Sequence, residues 1–193
     1  MGRVTIVATT GGLGAIVLAA IIFFASERDD ETAGEAFTAP GLDPLTVDQA
    51  RSEFWRLTPA LLLVVYEAFG ETQEAAIYDT LAGVTHGDAL EYLYLERVGA
   101  MAGGGLDEAD QQIHEIKLLN TTVESEDAAL VIDASWQVIG TVGHAEHLHV
   151  RGNTYSADLT VAAVDGAWRI TDFELLDVNR DTAGETFLAP PTN

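Results

Sequence analysis

Three of the chain's five histidines fall within six residues, in Gly143-His144-Ala145-Glu146-His147-Leu148-His149. Side chains two apart on a strand share a face, so His147 and His149 form an H-x-H pair that can present two imidazoles to one ion. His144 is close in sequence, and His114 sits on what reads as a neighbouring strand, so both are candidate further ligands. Nitrogen donors without a thiolate suit Cu²⁺, Zn²⁺ or Ni²⁺. The competing reading makes these polar residues of a hairpin tip, hydrogen-bonded to acidic neighbours, because no complete ligand set with motif-grade spacing is present.

A second chemistry would place a carboxylate or histidine base in an apolar pocket, opposite a hydrogen-bond donor such as a tyrosine. Tyr66, Tyr78, Asp79, Tyr92, Tyr94, Asp133 and Tyr155 are the available groups. Their spacing selects no pair, so no catalytic residue is assigned and the protein is read as non-enzymatic. The sequence contains no P-loop, dinucleotide fingerprint, nucleophile elbow or zincin motif. With no cysteine, disulfides and thiol catalysis are excluded.

The elements that must carry these residues change character along the chain. Thr46-x-x-Gln49 has the form of a capping box, with Val47, Ala50, Phe54 and Leu57 on one helical face behind it. Thr58-Pro59 predicts a restart or kink, followed by helix from Leu61 to Phe69. A further helix carries Ile77, Leu81 and Val84, and Asp88-x-x-Glu91 opens another that runs to about Ala102. Gly103-Gly104-Gly105 ends it.

Beyond this point the period becomes two. A strand is predicted from Ile113 to Val123. Leu130, Ile132, Ala134, Trp136 and Val138 alternate with polar or smaller residues, as do Tyr155, Ala157, Leu159, Val161 and Ala163. Asp165-Gly166 predicts a tight hairpin turn before Trp168-Arg169-Ile170. Helices followed by an antiparallel meander make an α+β domain over residues 46–178.

That element order, with Trp55, Tyr66-Glu67-Ala68-Phe69 and Ile77-Tyr78-Asp79, resembles the NTF2-like superfamily of ketosteroid isomerase and SnoaL-type proteins. The resemblance implies a cone in which N-terminal helices pack on a curved antiparallel sheet, and it covers residues 46–178. Trp136 to Leu176 is also similar to domains of bacterial membrane-anchored proteins.

The N-terminal end reads differently. Val4 to Ala25 contains no charged residue, and about 20 apolar residues suffice to cross a bilayer. Residues 1–26 are therefore expected to form a transmembrane anchor, since the run exceeds a signal-peptide core and lacks a small-x-small cleavage site. Gly11, Ala15 and Ala19 recur every four residues, the spacing at which membrane helices pack closely. All 31 acidic residues lie at or after Glu27, with eight of the nine basic ones. Such a field excludes nucleic acid as a partner, and acid excess with a single lysine, Lys117, matches the composition of proteins from saline habitats.

Two near-copies flank the domain. Glu31-Thr-Ala-Gly-Glu-Ala-Phe37-Thr-Ala-Pro40 and Asp181-Thr-Ala-Gly-Glu-Thr-Phe187-Leu-Ala-Pro190 agree at seven of ten positions. They fall in the expected linker, 27–45, and C-terminal arm, 179–193, with Phe37 and Phe187 as aromatic anchors for a partner. The combined expectation is a single-pass accessory or assembly subunit of the inner membrane. Its N-terminus would be cytoplasmic and its domain periplasmic, bound to an integral membrane complex or to itself through the helix. A metal-binding domain and a small-molecule-binding or isomerase-like domain are the alternatives.

Overall fold

Glycine and aspartate open the longest hairpin as their chemistry dictates: Asp165 and Gly166 both adopt positive φ, 51° and 78°. A two-residue turn of this hand matches the twist of the strands it joins. The computed structural model describes residues 34–102, 111–126, 128–144 and 147–188, with backbone alone for 111–112, 142–144, 147–151 and 180–188.

Two short strands come first, β1 (Phe37–Ala39) and β2 (Leu42–Leu45). Four helices follow: α1 (Val47–Ser52), α2 (Phe54–Gly70), α3 (Glu74–Val84) and α4 (Asp88–Ala102). Four long strands complete the fold: β3 (Gln111–Glu126), β4 (Ala129–His144), β5 (His147–Val164) and β6 (Ala167–Leu188).

The predicted capping box forms in full. The Gln49 backbone N–H donates to Thr46 Oγ1 at 3.3 Å, and Thr46 N–H donates to Gln49 Oε1 at 2.9 Å. The helical break, however, lies at Glu53 and not at Thr58-Pro59. Pro59 is tolerated within α2 because the bond it cannot make would end on the carbonyl of Trp55, a residue 58% exposed, where water can take its place.

The six strands form one sheet in the order β2-β1-β6-β5-β4-β3. Strands β3 to β6 are an antiparallel meander, whereas β1 runs parallel to β6. Leu130, Ile132, Ala134 and Trp136 on β4, with Ala157, Leu159 and Val161 on β5, face Leu57, Leu61, Leu62 and Val65 of α2 and Ile77 and Leu81 of α3 in one core. Strand β6 carries extra residues against β5 at four places, one of them between the pairs Thr160–Asp172 and Val161–Ile170. Each bulge lengthens one strand against its neighbour and adds twist, so the sheet curls around the helices. That curl opens a hollow beside α2 and α4.

Two expectations are corrected here. The NTF2-like cone is not the fold shown, because the sheet is mixed and begins before the helices. Phe37 packs edge to face on Trp168 at 5.6 Å, Thr38 N–H donates to the Gly166 carbonyl at 3.0 Å, and Trp168 Nε1–H donates to the Leu45 carbonyl at 3.0 Å. These contacts bind part of the supposed linker into the sheet, and they were invisible as periodicity because each strand is only three or four residues long. The second correction concerns the membrane. Among the described residues no helix is long and apolar enough to cross a membrane, and α2, the longest at 17 residues, falls short of the required ~20. Residues 1–26, with Gly11, Ala15 and Ala19, lie outside the described residues, and the single-pass, membrane-anchored description is not carried forward.

Candidate functional site

Four aromatic side chains meet where α2 crosses the curled sheet. Tyr66 and Phe69, three apart on α2, stand edge to face at 6.3 Å, and Tyr66 meets Tyr155 of β5 at 5.9 Å. Tyr155 in turn stacks on Trp136 of β4, its Cα partner across the two strands, with ring centres 5.8 Å apart and planes 18° from parallel. Such arrangements add roughly 0.5–1.5 kcal/mol per pair beyond simple burial.

Their polar atoms make two hydrogen bonds. Trp136, 1% exposed, donates its indole N–H to the Tyr66 hydroxyl at 3.1 Å. Asn153 Nδ2 approaches the Tyr155 hydroxyl at 3.4 Å. Burial first, then the adjacent Tyr155 hydroxyl, hold the Tyr66 phenol well above a tyrosine's ordinary pKa.

These groups wall two adjoining cavities of about 550 and 110 Å³, which share Tyr66, Phe69, Glu96 and Tyr155. The smaller is lined by Trp136, Leu62 and Phe173, the last stacked with Tyr92 of α4 at 5.9 Å. The larger opens between the C-terminal end of α2 and the last turns of α4, beside Ala100 and Ile113.

One cation enters its wall. Arg97 on α4 is 7% exposed; its Nη2 donates to the Glu71 carbonyl at 2.7 Å, closing the end of α2, while its buried Nε has no hydrogen-bond partner. Burial pulls its pKa below the ordinary arginine value, yet a guanidinium stays charged in proteins. The carboxylates of the same cavity, Glu67, Glu71 and Glu96, belong to exposed residues at its mouth.

The residues singled out by type are distributed unevenly. Of the tyrosines, Tyr66, Tyr92 and Tyr155 line the hollow, whereas Tyr78 and Tyr94 pair with each other at 5.7 Å, with Tyr78 48% exposed. Asp79 and Asp133 are exposed and line neither cavity. Phe37 is half-buried against Trp168; Phe187 lies on β6 opposite Leu148, with its side chain outside the described residues.

The histidines split into two places. The register sets His144 against His147 and His149 against Val142, while the three side chains lie outside the described residues. His114 is the extra residue of a β3 bulge between Ile113 and Glu115, exposed, with Nε2 3.0 Å from Thr141 Oγ1. It sits at the level of Ile139 and Gly140, roughly 15 Å along the strands from the His144–His147 pair at 3.4 Å per residue, too far to share one ion with those two.

Arg97, Phe69 and Phe173 were missed by the sequence reading. A basic residue one position after a glutamate reads as exposed, although Ala89, Leu93 and Arg97, each four apart, are the buried residues of α4. The available clue was the scarcity of cations in so acidic a chain.

No protein-family model matches the chain, and no curated protein does. Among solved structures it is similar to a de novo designed β-sheet protein determined by solution NMR, at 10% identity and a TM-score of 0.33, over 69% of this chain and 95% of that one.

Proposed function

We propose that the domain is a non-enzymatic binding module for a small, mainly apolar molecule bearing a hydrogen-bond acceptor, held in the hollow between α2, α4 and the sheet. The observation that carries this reading is the Trp136–Tyr66 hydrogen bond beside the Tyr155 ring, a few polar groups set in the aromatic wall of a cavity of about 550 Å³. A few placed polar groups in a largely aromatic hollow are what small-molecule sites have in common. Binding is favoured over catalysis because the buried polar groups are donors, and the carboxylates that could serve as bases belong to exposed residues at the mouth.

The test is titration of the full chain with N-phenyl-1-naphthylamine, a neutral apolar dye that fluoresces when removed from water. Saturable one-to-one binding is expected, and Ala100→Trp, which fills the mouth from an exposed position, should abolish it. Unsaturable binding, or binding indifferent to Ala100→Trp, would sink the reading.

A second reading is favoured by the strand register alone. His144 opposite His147, with His149 two residues further on, puts three imidazole-bearing positions on one face of the β4–β5 hairpin. We propose Cu²⁺, Zn²⁺ or Ni²⁺ as the ion such a trio would hold. Calorimetric titration of the untagged chain should show one equivalent bound at neutral pH, lost in the double variant His147→Ala, His149→Ala. An unchanged isotherm in that variant rules it out.

A further inference from the structure

Arg97 closes the end of α2 with a single N–H, yet that duty does not account for a guanidinium. One donor on one carbonyl leaves Nε–H and the other N–H groups to be satisfied; Nε is buried without a partner, and Arg97 lines the larger cavity. A buried donor left unmet costs about 1–3 kcal/mol, more when it is charged. A lysine could reach a helix-terminal carbonyl with a more compact ammonium, whereas the planar guanidinium offers paired N–H groups spaced for the two oxygens of a carboxylate.

Resting on the reading of the hollow as a small-molecule site, we propose that its ligand is an aromatic or other flat apolar monocarboxylate, whose carboxylate meets Arg97 while its body lies against Tyr66, Phe69 and Tyr155. One positive charge matches one negative charge. A phosphate dianion would leave an excess charge facing Glu67, Glu71 and Glu96 at the mouth. Those exposed carboxylates are screened by salt over about 8–10 Å, while the attraction to 7%-exposed Arg97 acts at contact and is screened far less. The Tyr155 ring belongs to the same wall.

Three probes of one shape test this by calorimetry on the full chain: naphthalene-2-carboxylate, naphthalene-2-carboxamide and 2-naphthylmethylammonium. The carboxylate is expected to bind at least tenfold more tightly than the amide, and the ammonium most weakly. Arg97→Met should bring carboxylate and amide to equal affinity. Arg97→Lys should keep the order but narrow the gap, since it holds the charge and loses the fork. If Arg97→Met does not fold, the three probes on the native chain and the lysine variant still decide. Equal binding of all three would overturn the carboxylate assignment and leave the apolar site standing. Preference for the ammonium would overturn it in favour of the mouth glutamates, and no binding by any probe would remove both.

Discussion

Trp136 on β4 and Tyr66 on α2, 70 residues apart in sequence, are joined by an indole N–H to phenol bond of 3.1 Å. It is the polar fastening between helix and sheet at the floor of the hollow. Tyr66→Phe keeps the ring and removes the acceptor, leaving a buried indole N–H unmet, which costs about 1–3 kcal/mol. Trp136→Phe removes the donor and also leaves a void. If the bond couples the two sites, the double variant in urea denaturation should be less destabilised than the sum of the single losses; simple additivity would show that it contributes nothing.

The same phenol makes an alkaline signature. Folding raises the Tyr66 pKa above the unfolded value of about 10, so the folded chain holds a proton that the unfolded chain has released. The stability this contributes is complete below pH 10 and declines as pH climbs from 10 toward the folded value. Ultraviolet titration of the native protein should show fewer than its five tyrosines ionising before unfolding, and the missing one should vanish in Tyr66→Phe. Five reversible ionisations in the folded chain would contradict the buried placement.

Phe37 and Trp168 hold the N-terminal hairpin to the sheet, with the Trp168 indole also bonded to the Leu45 carbonyl. Phe37→Ala should therefore free β1 and β2 at a cost of roughly 1–3 kcal/mol for a half-buried aromatic ring, below the 3–5 of a fully buried one. Limited proteolysis should cut near Gly41 in the variant before the remaining domain is attacked. Wild-type cleavage rates at that site would mean the ring contact is incidental.

At the β5–β6 turn, Gly166 has φ 78°, where a β-branched residue is strained. Gly166→Val should lower stability by about 1–2 kcal/mol, while Asp165→Gly should be nearly neutral because glycine accepts the left-handed region without cost. Thermal melts of the two variants give the comparison, and equal melting temperatures would refute the assigned turn.

Local chemistry explains what could be read from residues alone. Thr46 and Gln49 cap α1 because their partners are three residues apart, and Asp165-Gly166 turns because two adjacent backbones accept positive φ. The alternation of Leu130 through Val138 told which side of β4 is buried, since the strand period is two wherever no bulge interrupts it. The interruptions were not legible. His114 and Leu119 are the extra residues of β3 bulges, and the repeated bulging of β6 decides how tightly the sheet curls; a bulge reflects fit to the partner strand.

By itself, then, the sequence determined the α+β class, most helix and strand positions, and the acidic character, all of which depend on neighbours within a few residues or on composition. Only the tertiary structure decided that Phe37 to Leu45 joins the sheet, that the sheet is mixed, and that Tyr66, Trp136, Tyr155 and Arg97 surround one hollow. The physical reason is separation along the chain: Phe37 meets Trp168, and Tyr66 meets Trp136, only after α2, α3 and the meander have packed. A hydrogen bond between residues 70 apart leaves no periodicity, and a buried arginine looks like any other until the surfaces around it close.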